Sequence, residues 1–320
     1  MKQTSLGLGQ SSKRTRRRVF LDEMDSVVPW SELVALISPF MPEGRRGRPP
    51  FAVEVMLRIH FMQQWFNLSD PAMEEALHDM ALFRDFAGLG NWSEPVPDET
   101  TILRFRRVLE KHKLAPQILQ TINDLLRSKG LMLRAGTVVD ATLIAAPSST
   151  KNAQGERDPE MKQSKKGGQW YFGMKAHIGV DADSGLVHTV RGTAGSVHDV
   201  TEANALLHGE ETVAFGDAGY QGVDKRPDAK SGVDWNIAMR PGKRRALDKS
   251  QEVNRLIEEL EKIKASIRAK VEHPFRVIKR QFGHMKVRYR GLAKNTAQLH
   301  TLFALSNLWM VRRQLGGVQA

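Results

Sequence analysis

The 320-residue chain carries 48 Lys and Arg against 36 Asp and Glu, a net charge of +12 at pH 7. Such a length can bury a full core with a second, smaller unit beside it. The charge is concentrated at the two ends: residues 1 to 20 hold six Lys and Arg and no acid, and residues 268 to 313 hold eleven against the single Glu272. A polyanionic partner accounts for that distribution better than a uniformly basic surface does. Cysteine is absent, which excludes disulfides, thiolate zinc sites and thiol nucleophiles. No apolar stretch follows the basic N-terminus, and the apolar run 302–311 is too short to cross a bilayer, so a soluble, cytoplasmic protein is expected.

Residues 1 to 18 are polar and end in a Lys-Arg-Thr-Arg-Arg-Arg run, expected to be solvated when free, with nonspecific phosphate contact as its available role. A short helix is predicted over Trp30–Ile37, after which Gly-Arg-Arg-Gly-Arg-Pro-Pro at 44–50 interrupts. Arg46 and Arg48 suit an A·T-rich minor groove; the same residues suit a linker whose prolines open the next helix. From 51 to 129 the pattern is helical, beginning with a crowded apolar segment through Trp65 and Phe66. Asp70-Pro71 offers a cap and first-turn proline for a second helix over 72–86. Asp98 caps a third, which carries Arg104, Arg106 and Arg107, and a fourth spans 115–126. This all-helical unit is either a helix-turn-helix-like reader of DNA or a scaffold whose charges are solvated.

Beyond Gly130 the period changes. Residues 136–144, Gly-Thr-Val-Val-Asp-Ala-Thr-Leu-Ile, read as a buried central strand holding one carboxylate, Asp140, where an unpaired charge is costly and a cation is the usual partner. A polar loop is predicted over 145–168, then strands over 171–180 and 185–192 joined by the turn residues Asp181 to Gly185, which makes Asp181 and Asp183 turn residues rather than ligands. A helix over 200–207 follows, with Asp199 and Glu202 as its capping box. That gives Asp199 a structural task and leaves Asp217, just past the strand 212–215, as the second catalytic acid. A fifth strand is predicted over 235–239. From 251 onward Val253, Leu256, Leu260, Ile263 and Ile267 recur at steps of three and four, a long amphipathic helix. Packing on the sheet is expected for it, with a dimerising coiled coil as the rival. Arg268, Glu272 and Lys279 share one face of a continuous helix, with Pro274 marking an irregularity beside Glu272. The strand pattern is that of a mixed α/β sheet with helices on its faces.

Taken in order, these segments resemble bacterial insertion-sequence transposases of the DDE type, in the insertion sequence five branch. The resemblance rests on Gly-Arg-Pro-Pro at 47–50, Pro-Asp-Glu-Thr-Thr-Ile-Leu-Arg-Phe-Arg at 97–106 and Val-Asp-Ala-Thr-Leu-Ile at 139–144. It continues through residues 166–181, Gly-Asp-Ala-Gly-Tyr at 216–220, Val-Glu-His-Pro-Phe-Arg-Val-Ile-Lys at 271–279 and residues 286–295. It implies a ribonuclease-H-like core, a five-stranded mixed sheet with flanking helices, after an all-α N-terminal domain. The expected division is a basic tail and short helix over 1–45, a helical DNA-binding domain over 46–130 and a catalytic domain over 131–320.

The resemblance also implies that Asp140, Asp217 and Glu272 form the acidic triad, with Arg268 and Lys279 in the basic positions of the Tyr-x2-Arg-x3-Glu-x6-Lys signature. Ala265 stands where that signature has tyrosine. Three carboxylates favour magnesium or manganese, two ions roughly 3.5 to 4 Å apart, for cleavage and joining of double-stranded DNA at terminal inverted repeats and target. Lys166, Lys175, Lys243, Arg276, Lys286, Arg288 and Arg290 join Arg46, Arg48, Arg104, Arg106 and Arg107 as expected DNA contacts. Chemistry on paired ends implies a homodimer assembled on DNA. Zinc on His177, His188 and His198 is a lesser alternative; a noncatalytic DNA-binding regulator or a hydrolysis-only nuclease are the other functional readings.

Overall fold

The structure, a computed structural model, describes residues 14–42, 49–90, 94–133, 135–153 and 155–317. Arg46 and Arg48 lie outside the described residues, as does the side chain of Lys166. Among the described residues seven α-helices come first: α1 (Arg16–Val27), α2 (Trp30–Ile37), α3 (Val53–Phe66), α4 (Asp70–Asp79), α5 (Ala81–Ala87), α6 (Glu99–Lys111) and α7 (Leu114–Ser128). Part of the basic run expected as a solvated tail is therefore helical: Arg16 opens α1, Thr15 caps it, and Arg18 pairs with Asp85 at 3.0 Å.

Two local readings are corrected here by one interaction. The cap of α4 is Ser69, whose hydroxyl accepts from Ala72 N, and not Asp70. Asp70 instead turns inward to Arg106 at 2.5 Å and accepts from Gln63 at 2.9 Å. Arg106 is buried, lies 3.6 Å from Glu110 and stacks on the Tyr289 ring at 4.4 Å. An arginine so enclosed is a packing element, and the expectation that it contacts DNA is withdrawn. Its neighbours Arg104 and Arg107 are exposed. The single helix expected over 72–86 is broken at Met80, which is extended at φ −112° and ψ 104° between α4 and α5. Asp98 caps α6 as expected, accepting from Thr101 N at 2.7 Å.

The sheet has the spatial order β2-β3-β1-β5-β6, with β4 also paired to β3. Its strands are β1 (Gly136–Ala145), β2 (Lys162–Lys166), β3 (Gln169–Asp181), β4 (Val187–Ala194), β5 (Val213–Gly216) and β6 (Asp234–Ile237). β3 runs antiparallel to both β1 and β4, whereas β5 and β6 run parallel to β1, so the chain crosses over between β4 and β5. The short helix α8 (Asp199–Glu202) lies in that crossover. This is the mixed sheet expected from the ribonuclease-H-like resemblance, with six strands rather than five. The added strand is β2, Lys-Gln-Ser-Lys-Lys, which pairs with the start of β3 inside the segment read as a loop.

After β6 come α9 (Pro241–Arg245) and α10 (Glu252–Arg268), then a 3-10 turn at Ala269–Val271, α11 (Glu272–Arg276) and a π-helical turn at Val277–Gln281. The run stays helical throughout but changes pitch on both sides of α11. Pro274, lacking an N–H for the Lys270 carbonyl, sits at the first of these changes. The last helix, α12 (Leu292–Leu315), is largely buried and packs on β4, α7 and α1. One continuous hydrophobic cluster runs from Leu21 to Val311, so the helical region and the sheet are packed on each other. Asn67, which ends α3 in the left-handed region, ties the two: it accepts from Arg288 and donates to Gly283 O.

Packing of α10 departs from expectation. Its polar side meets the protein: Glu261 accepts from Met239 N at 2.8 Å, Arg244 holds Glu258 at 2.7 Å, and Lys264 reaches Ile237 O. Val253, Leu256, Leu260 and Ile263 face solvent, each more than half exposed. Periodicity identified the apolar face of this helix but not what it would cover.

Candidate active site

Asp140 sits in the middle of β1, opposite Ile178 of β3. Its carboxylate accepts from Ala141 N at 2.7 Å. Parallel pairing of β1 with β5, Val138 against Phe215, carries Asp217 to the same end of the sheet two residues later. There Asp217 caps a 3-10 turn, Ala218–Tyr220, accepting from Gly219 N at 2.8 Å. Glu272 opens α11 and is exposed. Lys279, seven residues on, donates to Thr142 Oγ1 at 2.5 Å and Leu143 O at 3.0 Å, which fastens the π turn to β1 beside Asp140.

Electrostatics couple Asp140 to the other two acids. Asp140 is pushed up to about 7, first by burial and then by the negative charges of Asp217 and Glu272, against the opposing pull of the Ala141 N–H and the Arg268 guanidinium. Three segments far apart in sequence thus deliver carboxylates to one place, and without a cation the innermost of them takes a proton near neutral pH. The donor set is oxygen only, which fits a hard divalent ion.

Asp199 is set apart from this group, but for a different reason than the capping box. Among the described residues no side chain caps α8; Asp199 accepts from Lys175 Nζ at 2.8 Å, and Glu202 from Arg191 Nε at 2.6 Å. The Lys175 ammonium also donates to Val197 O and is mostly buried, so this lysine holds the crossover in place and is withdrawn from the DNA contacts. Arg288 is likewise committed, its guanidinium donating to Asn67 O at 2.6 Å, and acts between the helical region and the sheet. Lys243, Arg276, Lys286 and Arg290 are exposed.

Tyr220 was not singled out from sequence. It is 1% exposed and packs with Val139, Leu206 and Val223, and its hydroxyl has no hydrogen bond among the described residues. Burial, then the charges of Asp140, Asp199 and Asp217, raise its pKa strongly, so it is a neutral phenol next to the acids. Its position three residues after Asp217, at the end of the Gly-Asp-Ala-Gly-Tyr segment, was the available signal.

The histidines do not assemble as the zinc alternative required. His177 is buried, meets Thr193 Oγ1 at 2.7 Å and lies 3.8 Å from Asp199, and His198 is exposed. A register shift in the β3–β4 pairing between Gly179 and Val180 leaves His188 unpaired in register and turned toward His208 and Glu211, with ligand atoms within 4.8 Å of one another. That trio is a hydrogen-bonded knot. The Glu211 oxygens accept from Thr137 Oγ1, His208 N and Gly209 N, and His208 Nδ1 accepts from Glu210 N, which places its proton on Nε2, toward Glu211. An ion held by His188, His208 and Glu211 would have to displace some of these hydrogen bonds.

Among the described residues no helix is long and apolar enough to cross a membrane. Comparison with known proteins gives a weak structural similarity to the cryo-EM structure of a piggyBac transposase synaptic complex with hairpin DNA. It has 12% sequence identity and a TM-score of 0.44, over 92% of this chain and 73% of that one. Family matches are firmer: residues 10–108 match a Transposase domain (DUF772), and residues 132–308, more than half of the chain and including all three acids, match the Transposase DDE domain. The chain belongs to the DDE-domain transposases.

Proposed function

We propose that this transposase binds the terminal inverted repeats of an insertion sequence and cuts and joins DNA strands at Asp140, Asp217 and Glu272, working as a homodimer on paired ends. The observation that carries the reading is that Asp140, whose pKa is raised to about 7 chiefly by burial, also feels the negative charges of both Asp217 and Glu272. Asp140, Asp217 and Glu272 would hold magnesium or manganese, which when bound supplies Lewis acidity at the attacking and leaving oxygens. Arg268 favours the ionised form of Asp140, and Lys279, pinned to Thr142 and Leu143, keeps a positive charge beside the scissile phosphate. Exposed Arg104, Arg107, Lys243, Arg276, Lys286 and Arg290 contact the backbone. The oxygen of water, or of a freed 3′-hydroxyl, attacks phosphorus in line and gives up its proton to solvent; the bond to the departing 3′ oxygen breaks, and that oxygen takes up a proton from solvent.

Strand cleavage and joining on a labelled duplex carrying the element's end, with magnesium or EDTA, tests this. Wild type is expected to cleave and join only with metal, Asp217→Ala to bind without cleaving, and Asp199→Asn to retain cleavage. Cleavage lost in Asp199→Asn but kept in Asp217→Ala would show that the second acid is Asp199.

A further inference from the structure

Helix α10 is amphipathic in the wrong direction for a monomer. Its protein-facing side carries Asn254, Glu258, Glu261 and Lys264, while its most apolar stripe points away from the molecule. Of the nine large apolar side chains exposed among the described residues, four, Val253, Leu256, Leu260 and Ile263, form this one stripe. Scattered exposed leucines are ordinary; a contiguous row on one helix is not.

We propose that this stripe is a self-association surface, on which α10 of a second copy of the chain packs antiparallel about a two-fold axis. Three observations select that occupant. The stripe has the three-four-three spacing of a coiled-coil seam, which another helix of the same spacing fills. The exposed charges of the helix alternate in sign along it, Glu252, Arg255, Glu259 and Lys262, while Glu258, Glu261 and Lys264 are turned to the protein. An antiparallel pair whose axis passes at residue 257 sets Glu252 beside Lys262 of the other copy and Glu259 beside Arg255, whereas a parallel pair in register sets each of these charges against its own copy. Finally, an uncharged apolar row offers nothing to a phosphate backbone, so DNA is a poor occupant.

The surface rests on the homodimer reading above for its purpose. α10 leads without a break in helical conformation into Glu272, so joining two copies there would couple the glutamate-bearing segments of both sites.

Sedimentation velocity on the full chain, without DNA or metal, tests it. Wild type is expected to be dimeric at micromolar concentration. Leu256→Glu with Leu260→Glu, both at exposed positions, should weaken the dimer by roughly 100-fold or more with an unchanged circular dichroism spectrum. The cysteine-free sequence permits a second readout: Glu259→Cys, near the axis, should form a disulfide-linked dimer under mild oxidation faster than Ala265→Cys on the opposite face of the same helix. A monomeric wild type, a dimer unaffected by the double substitution, or faster crosslinking at position 265 would each overturn the proposal. Because no DNA or metal is present, such a failure is distinct from loss of cleavage in the Asp217 variant.

Discussion

Asp140 makes the metal-free protein pay for its own active site, and the cost depends on pH. Moving a carboxyl from 3.8 to about 7 disfavours its ionised form by roughly 4 kcal/mol, at about 1.4 kcal/mol per tenfold. A folded-state value raised above the unfolded one contributes stability that is complete below about 4 and is lost as pH rises toward 7. Asp140→Asn removes the titration while keeping the shape. With EDTA at pH 8 the variant is therefore expected to be more stable than wild type by about 2 to 4 kcal/mol, allowing for partial solvent access, and at pH 4 the difference should vanish. For a chain of this size that corresponds to roughly 3 to 6 °C in melting temperature. Magnesium should raise the wild-type melting temperature at pH 8 and leave the variant nearly unchanged, because the ion supplies the countercharge Asp140 lacks. Thermal melts over that pH range, with EDTA and with magnesium, measure all of this. A variant less stable than wild type at pH 8, or a difference independent of pH, would refute the reasoning.

The remaining expectations concern single side chains. Arg106→Ala should destabilise the fold by roughly 3 to 5 kcal/mol in urea unfolding, since it leaves Asp70 buried without its cation, whereas Arg107→Ala should leave stability within about 0.5 kcal/mol. In a salt-dependent binding assay Arg107→Ala should instead lower DNA affinity and flatten the slope of log affinity against log salt by about one; an unchanged slope would remove it from the interface. Tyr220→Phe deletes a buried hydroxyl that has no hydrogen-bond partner among the described residues and is expected to be neutral or stabilising by up to about 1 kcal/mol. Clear destabilisation would mean that the hydroxyl is bonded in solution. Lys279→Met should lower the rate of strand cleavage by roughly 100-fold or more while repeat binding persists, as expected for a positive charge aimed at the reacting phosphate; an unaltered rate would confine Lys279 to its bonds with Thr142 and Leu143.

Much of the core was legible because its signals were local. The β-branched run around Asp140, the Asp98 cap and the turn at 181–185, where Asp181 accepts from Asp183 N and Ser184 Oγ, all formed as read. What escaped notice depended on partners distant in sequence. β2 is polar and charged, and is a strand only because the start of β3 is there to pair with it. Asp70 looked like a cap until Arg106, 36 residues later, claimed it. Asp199 and Glu202 have capping-box spacing, but Lys175 and Arg191 on neighbouring strands outcompete the backbone for their oxygens. The outward stripe of α10 was visible as a period, but a period carries no information about which side of a helix meets the protein.

The central claim is that Asp140, Asp217 and Glu272 together hold divalent metal. Iron(II) bound in place of magnesium, with ascorbate and peroxide, cuts the polypeptide where it is coordinated, so mapping the fragments reads the site directly. The account predicts three cuts, near residues 140, 217 and 272, all suppressed by excess magnesium and lost together in Asp140→Ala. Cuts confined to the neighbourhood of His188 and His208, or one cut alone that magnesium does not suppress, would contradict it.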